Sequence, residues 1–248
     1  MNRFLILMTI FILLVGCNDP SNQGENLGQK EKKPRTKTII LFDVSGSFNE
    51  YIPNVVEKIK LYVDKIPMFE DITLRKIGVN EDDKNFITEL DLTTGFIDAI
   101  MASSIQCNQY SKEGREECEK KRAEANQMLL DEFRGRKEEF KNKVDDLGQS
   151  RESNTDIITS IEQSLRDLKK TTYDRRRIVI FSDMDDLTGR MATFELMVDE
   201  IDYLDELLVF YAEEKYADLI EDKIIGDNVK IYHISITDSG FNRFIESI

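Results

Sequence analysis

The stretch TIILFDVSGSF, Thr38 to Phe48, joins two patterns. Thr38-Ile39-Ile40-Leu41-Phe42 is a short, continuous apolar run. Such a run fits a strand covered on both faces, as in a parallel sheet. Asp43, Ser45 and Ser47 then follow at every second position, each a small side chain bearing oxygen. Two explanations compete. Ser47 and Glu50 spell S-x-x-E, the capping box of a helix starting nearby. Alternatively, the three oxygens hold a ligand.

The chain after this stretch reads as alternating strands and helices. Ile52, Val55, Val56, Ile59, Val63 and Ile66 recur at helical spacing and form one apolar face, and Pro67 closes that helix. DITLRKIGV and NFITELDL, separated by the acidic turn NEDDKN, predict a hairpin at a sheet edge. Residues 96–150 are different, being dense in Lys, Arg and Glu. Their sparse apolar residues, Met128, Leu129, Phe133, Phe140, Val144 and Leu147, again fall at helical spacing. This segment reads as an inserted helical hairpin projecting from the domain, either a solvated face or a partner-binding arm.

Beyond it, Ile158, Ile161, Leu165 and Leu168 predict a helix and RRIVIFSD a buried strand. Phe194, Leu196, Met197 and Ile201 predict a helix, ELLVFYA a strand and EKYADLIEDKII a helix. VKIYHISI reads as a strand containing a packed His233, and FNRFIESI as the terminal helix. Strands alternating with helices imply right-handed crossovers. The expected fold is therefore α/β, a doubly wound and mostly parallel sheet with the helical insertion.

Composition narrows the function. The chain has 248 residues, 40% hydrophobic and 33% charged, which suits one sizeable domain with appendages. Its net charge of -14 repels phosphate backbones and argues against nucleic acid. One histidine leaves little room for histidine-based catalysis or a zinc site.

Residues 1–16 read as a secretory signal: Arg3, then an apolar run from Phe4 to Val15, too short for a comfortable membrane span. The signal ends in Leu14-Val15-Gly16-Cys17, which resembles a bacterial lipobox, so Cys17 is expected to carry lipid. Each buried methylene of an acyl chain contributes about 0.8 kcal/mol to anchoring. Residues 17–37 form a polar tether with a basic cluster, KEKKPRTK, spanning about 25 Å as a flexible coil. Cys107 and Cys118 remain as a pair in an exported chain and read as a disulfide. Closing so short a loop contributes roughly 2–3 kcal/mol.

Two strands end near aspartate, IILFD at Asp43 and IVIFSD at Asp183, and the loop SNTD carries Thr155 before a helix. In such sheets ligands bind at the carboxyl ends of strands. Asp43-Val44-Ser45-Gly46-Ser47, Thr155 and Asp183 together resemble the metal-ion-dependent adhesion site of von Willebrand factor A domains. The resemblance covers residues 38–248. It implies a Rossmann-like fold of that family and a Mg2+ (or Mn2+) ion held by these five residues. It also implies a protein partner offering an acidic residue, and no enzymatic activity. Met184 stands where the family often has glycine, and the 96–150 insertion is a second departure.

Hard oxygens suit magnesium, and two carboxylates balance its charge while the neutral hydroxyls leave it electrophilic. Asp156, Asp185 and Asp186 lie close in sequence, and Asn154 or Thr155 is also a candidate helix cap. The expected protein is a lipid-anchored binding module of the bacterial cell envelope, periplasmic or outer-membrane facing. The alternatives are a metal-free structural domain acting through its helical arm and a magnesium-dependent phosphatase. The phosphatase would need an acid/base Asp two residues after Asp43, where Ser45 stands.

Overall fold

In the computed structural model, the run that opens the sequence is a strand, β1 (Thr36–Asp43), buried along its whole length. It begins two residues inside the segment expected to be tether. The structure describes residues 34–68, 70–77, 86–90, 112–149, 156–185, 203–217 and 228–248; for 86–90 and 112 it describes the backbone alone. The predicted helix at 194–201 lies outside these residues, as does most of the one expected over EKYADLIEDKII.

Around β1 lie β2 (Glu70–Ile77), β3 (Phe86–Leu90), β4 (Arg175–Phe181), β5 (Glu206–Ala212) and β6 (Val229–His233). Their order across the sheet is β3-β2-β1-β4-β5-β6. Among the described strands only β2 and β3 pair antiparallel, as the predicted edge hairpin. The chain moves outward from β1 to β2 in one direction and from β4 to β5 in the other. The switch in strand order therefore falls between β1 and β4, where α/β sheets open a crevice at their carboxyl ends. Asp43 stands at that end of β1.

The described α-helices are α1 (Ile52–Lys65), α2 (Lys112–Gly148), α3 (Ile157–Lys169) and α4 (Thr237–Glu246). They cover both faces, which explains the unbroken apolar run of β1. Ile40 and Phe42 pack with α1, α4 and the carboxyl-terminal part of α2. Ile39 and Leu41 pack with α3 on the other face. Helix α1 stops where Ile66 turns extended (ψ 141°), as the residue before Pro67 must.

The carboxyl-terminal part of the insertion is docked on the core rather than projecting from it. Among the described residues the insertion is one continuous helix of 37 residues, and residues 96–111 lie outside them. Phe140, Val144 and Leu147 are 2%, 0% and 3% exposed and belong to the main core. Their i, i+4, i+7 spacing makes one stripe, and that stripe meets α1 rather than solvent. Met128, expected on the same stripe, is 73% exposed.

Lysines tie the two helices together. Lys137, 8% exposed, donates from Nζ to the carbonyl oxygens of Asp64 (3.1 Å) and Ile66 (3.2 Å), capping the end of α1. Burial pushes its pKa down. Lys141 reaches Asp64 at 3.0 Å and Lys60 reaches Asp145 at 2.5 Å. A Cβ on Gly148 would lie 2.7 Å from Val56 Cγ2, so glycine permits this close approach.

At the opposite end of the sheet from Asp43, a charged row crosses the strands. Arg177 pairs with Glu70 (3.2 Å) and Glu206 (2.8 Å), and Lys230 pairs with Glu206 (3.0 Å). The hydroxyls of Thr38 and Tyr62 also donate to Glu70. The strand expected over VKIYHISI ends at His233, and Ile234–Ile236 wind into a 3-10 turn. The hydroxyl of Thr237, 3.0 Å from the His233 carbonyl oxygen and 3.2 Å from that of Tyr232, holds this turn. Apolar alternation alone does not distinguish such a turn from a strand.

Candidate functional site

The carboxyl ends of β1 and β4 bring Asp43, Ser45, Ser47 and Asp183 together. Asp43 is 0% exposed. Its Oδ1 accepts the Ser45 N–H at 2.8 Å and its Oδ2 accepts the Ser182 hydroxyl at 2.7 Å. Ser45 Oγ and Ser47 Oγ lie 3.1 Å apart. The Ser47 side chain is hydrogen-bonded to Asp183, which also accepts the Asp185 N–H at 3.0 Å. The Asp183 carbonyl accepts the Glu213 N–H at 3.1 Å, tying this residue to the end of β5. Thr155 lies outside the described residues.

The electrostatics are those of two desolvated carboxylates side by side. Burial pushes the Asp43 carboxyl from 3.8 up to about 6; hydrogen bonds from Ser182 and Ser45 oppose the rise and the Asp183 charge adds to it. Asp183, 3% exposed, is also raised by burial first, against its hydrogen bonds from Asp185 and Ser47. The nearby charges of Asp185 and Glu213 raise it further. Neither carboxylate has a Lys or Arg partner among the described residues. Buried carboxylates are ordinarily paired or bound to a cation. No cluster of three or more His, Cys, Asp or Glu is placed to hold a metal among the described residues. The donor set here is two carboxylates with two hydroxyls.

The capping explanation for Ser47 fails. Helix α1 starts at Ile52 with Tyr51 as its N-cap and no side-chain cap bond, and proline occupies its first turn. Ser47 instead lies in the preceding turns, where the Tyr51 N–H reaches the Phe48 carbonyl at 3.0 Å. On α3, the cap anticipated at Asn154 or Thr155 is Asp156. Its carboxylate accepts the Thr159 N–H (2.9 Å) and hydroxyl (2.7 Å). Asp185 accepts the Tyr216 hydroxyl at 2.7 Å; Asp186 is outside the described residues.

Ser182 escaped the sequence reading. Its hydroxyl donates to Asp43 and accepts the Met184 N–H at 2.9 Å, so it orients the carboxylate from beneath. The available signal was its position, a hydroxyl next to the strand-end Asp183. Met184 has φ of 65°. It thus adopts the left-handed backbone that a glycine there would take without strain. His233 closes β6 with Nδ1 buried and unpartnered among the described residues.

No family model matches the sequence, and no curated protein matches it. Solved structures do match. A von Willebrand factor type A protein from Catenulispora acidiphila superposes with a TM-score of 0.50 at 14% identity, covering 86% of this chain and 42% of that one. The pilus adhesin SpaC from Lactobacillus rhamnosus GG, in its open conformation, superposes with a TM-score of 0.52 at 9% identity, covering 87% of this chain and 30% of that one. The chain therefore spans less than half the length of either. Strand order, helices on both faces and these likenesses together show that the chain has a von Willebrand factor A-like fold.

Proposed function

We propose that this chain is a membrane-anchored, cation-dependent protein-binding module of the bacterial cell envelope, serving adhesion or assembly. One observation carries the reading. Two buried carboxylates without a cationic partner among the described residues converge with two hydroxyls at the switch point of the sheet. Ser45, Ser47 and Thr155 would hold Mg2+ (or Mn2+) through neutral oxygens, with Asp43 and Asp183 balancing its charge. When bound, the ion supplies an electrophilic centre for an acidic residue of a protein partner. Ser182 and the Ser45 N–H keep the Asp43 carboxylate aimed at the site.

Cys17 carries the lipid in this reading, and the tether runs from there to Arg35, just before β1. The chain enters β1 at Thr36, the end farthest from Asp43, about 23 Å away at 3.3 Å per residue. The site and the start of the strand thus lie at opposite ends of β1. Burial of Cys118, 6% exposed on a charge-rich helix, supports its pairing with Cys107, which lies outside the described residues. That SpaC is a pilus adhesin agrees with an adhesive role.

Exposure of Met128 (73%) and Leu130 (38%) on α2 favours a runner-up, metal-free assembly through the helical arm. Capture of partners from the native envelope by the full-length, detergent-solubilised chain separates the two. Capture that magnesium supports and a chelator abolishes fits the proposal; capture indifferent to chelator sinks it in favour of the arm.

A further inference from the structure

We propose that Tyr211 is a positioning residue for the candidate site, its ring setting the Ser45–Tyr51 loop against Asp183. The inference deepens the proposed cation-binding function and rests on it for its effect on affinity. In a regular strand, successive side chains alternate between faces. Leu207 and Val209 follow that rule into the core beside α3, and Leu208 and Phe210 into the core beside α1. Residue 211 should then turn towards α3. It does not: the β5–β6 register shifts between Phe210 and Ala212, and Tyr211 takes a φ of 74°. This bulge puts Tyr211 on the same face as Phe210 and returns Ala212 to the other.

The arrangement is strained for a non-glycine residue. It also buries the Tyr211 hydroxyl without a hydrogen-bond partner among the described residues, in a side chain 3% exposed. Glycine would relieve the backbone, and phenylalanine would remove the stranded hydroxyl. What the ring alone provides is contact. It meets Phe48 edge-on at 5.6 Å and Tyr51 at 5.2 Å, and those two rings lie 5.4 Å apart. Phe48 directly follows Ser47, so the three-ring stack underlies the loop that carries both serine hydroxyls.

The backbone of the same segment serves the other half of the site. The Phe210 carbonyl accepts the Ser182 N–H at 3.2 Å, and the Glu213 N–H donates to the Asp183 carbonyl at 3.1 Å. The Thr237 hydroxyl pins the bulge by accepting the Tyr211 N–H at 2.9 Å. The residue at the bulge thus joins the β1 loop, through its ring, to the β4 end, through its neighbours' peptides.

The test uses the full-length chain in detergent and two readings. Amide exchange of residues 45–51 in chelator reads positioning alone, and calorimetric titration with Mg2+ reads its consequence. Tyr211→Phe should exchange and bind as the wild type does, and melt a few degrees higher. Tyr211→Gly should speed exchange of the loop at least tenfold and weaken Mg2+ binding by a similar factor, despite its relaxed backbone. Tyr51→Ala, at a half-buried position, should do the same in milder form and covers the case in which Tyr211→Gly does not fold. Wild-type exchange in Tyr211→Gly and Tyr51→Ala overturns the proposal, as does a loss in Tyr211→Phe equal to that in Tyr211→Gly. If the wild type takes up no Mg2+ but the loop loosens as expected, the positioning stands and the cation reading fails.

Discussion

Replacing Asp43 by asparagine separates the cost of a buried charge from its use. In the metal-free chain the Asp43 carboxyl, 0% exposed, is held up from 3.8 to about 6, chiefly by burial. A group with a raised folded-state pKa contributes stability while protonated. That stability is fully present below the unfolded value and is lost as the pH rises through the folded one. At neutral pH the folded chain therefore bears an ionised carboxylate at a cost. At about 1.4 kcal/mol per unit, a gap of roughly two units is about 3 kcal/mol. The amide of Asp43→Asn still accepts the Ser45 N–H through its oxygen and offers an N–H to the Ser182 hydroxyl. The raised value is already net of the hydrogen bonds that favour the charged form.

The net gain for the variant is about 3 kcal/mol, or roughly 6–12 °C in a chain of this size. In thermal melts of the full-length chain at neutral pH with chelator, the variant should melt higher, and the gap should close as the pH falls towards the unfolded value of 3.8. Magnesium at a thousandfold excess over Kd stabilises the wild type by about 4.1 kcal/mol and the variant not at all, reversing the order. A variant that melts below the wild type in chelator, or that keeps the magnesium response, refutes this reasoning.

Three further outcomes are expected. Phe140→Ala should cost about 3–5 kcal/mol in urea unfolding, because α2 is part of the core; a surface-like loss below about 1 kcal/mol would contradict its docking. Gly240→Ala should cost about 1–3 kcal/mol by overpacking, since its Cβ would meet Tyr232 Cδ1 at 2.2 Å, and unchanged stability would show that α4 yields at no cost. Under non-reducing conditions, mass spectrometry should find no alkylatable thiol at Cys107 or Cys118, and two labelled thiols would refute the bridge.

The fold was legible where one physical rule dominates. Thr38 to Phe42 is apolar at nearly every position because helices cover both faces of β1, and the NEDDKN turn marked the edge hairpin. Asp43, Ser45, Ser47 and Asp183 were legible because strand ends in such sheets converge, and four residues at two ends make a recognisable set. Other features leave no such mark. Neither Met184 nor Tyr211 favours the left-handed backbone, so its use follows from tertiary packing that overrides local preference. The stripe of Phe140, Val144 and Leu147 announced a buried face but not what buries it. Ile234 and Ile236 alternate as in a strand, yet the chain must turn there to lay α4 across the sheet.

The long helix also has a mechanical consequence. Among the described residues, α2 joins the main core from Phe133 to Gly148, and Leu129 and Cys118, 7% and 6% exposed, are buried nearer its start. Lys112 lies about 30 Å along the helix axis from Phe133 at 1.5 Å per residue, so load on that end reaches the main core through the helix. Load applied there is resisted at Lys137, Lys141 and Lys60, whose ties all bear on α1, and α1 continues from the loop holding Ser45 and Ser47. Gly135 stands between Phe133 and Lys137, in open space where an added Cβ would meet nothing within 4 Å. Glycine lowers helix resistance there by about 1 kcal/mol relative to alanine. Gly135 is thus the position in this part of α2 where the helix backbone itself resists bending least, beside the lysine ties that hold α2 to α1.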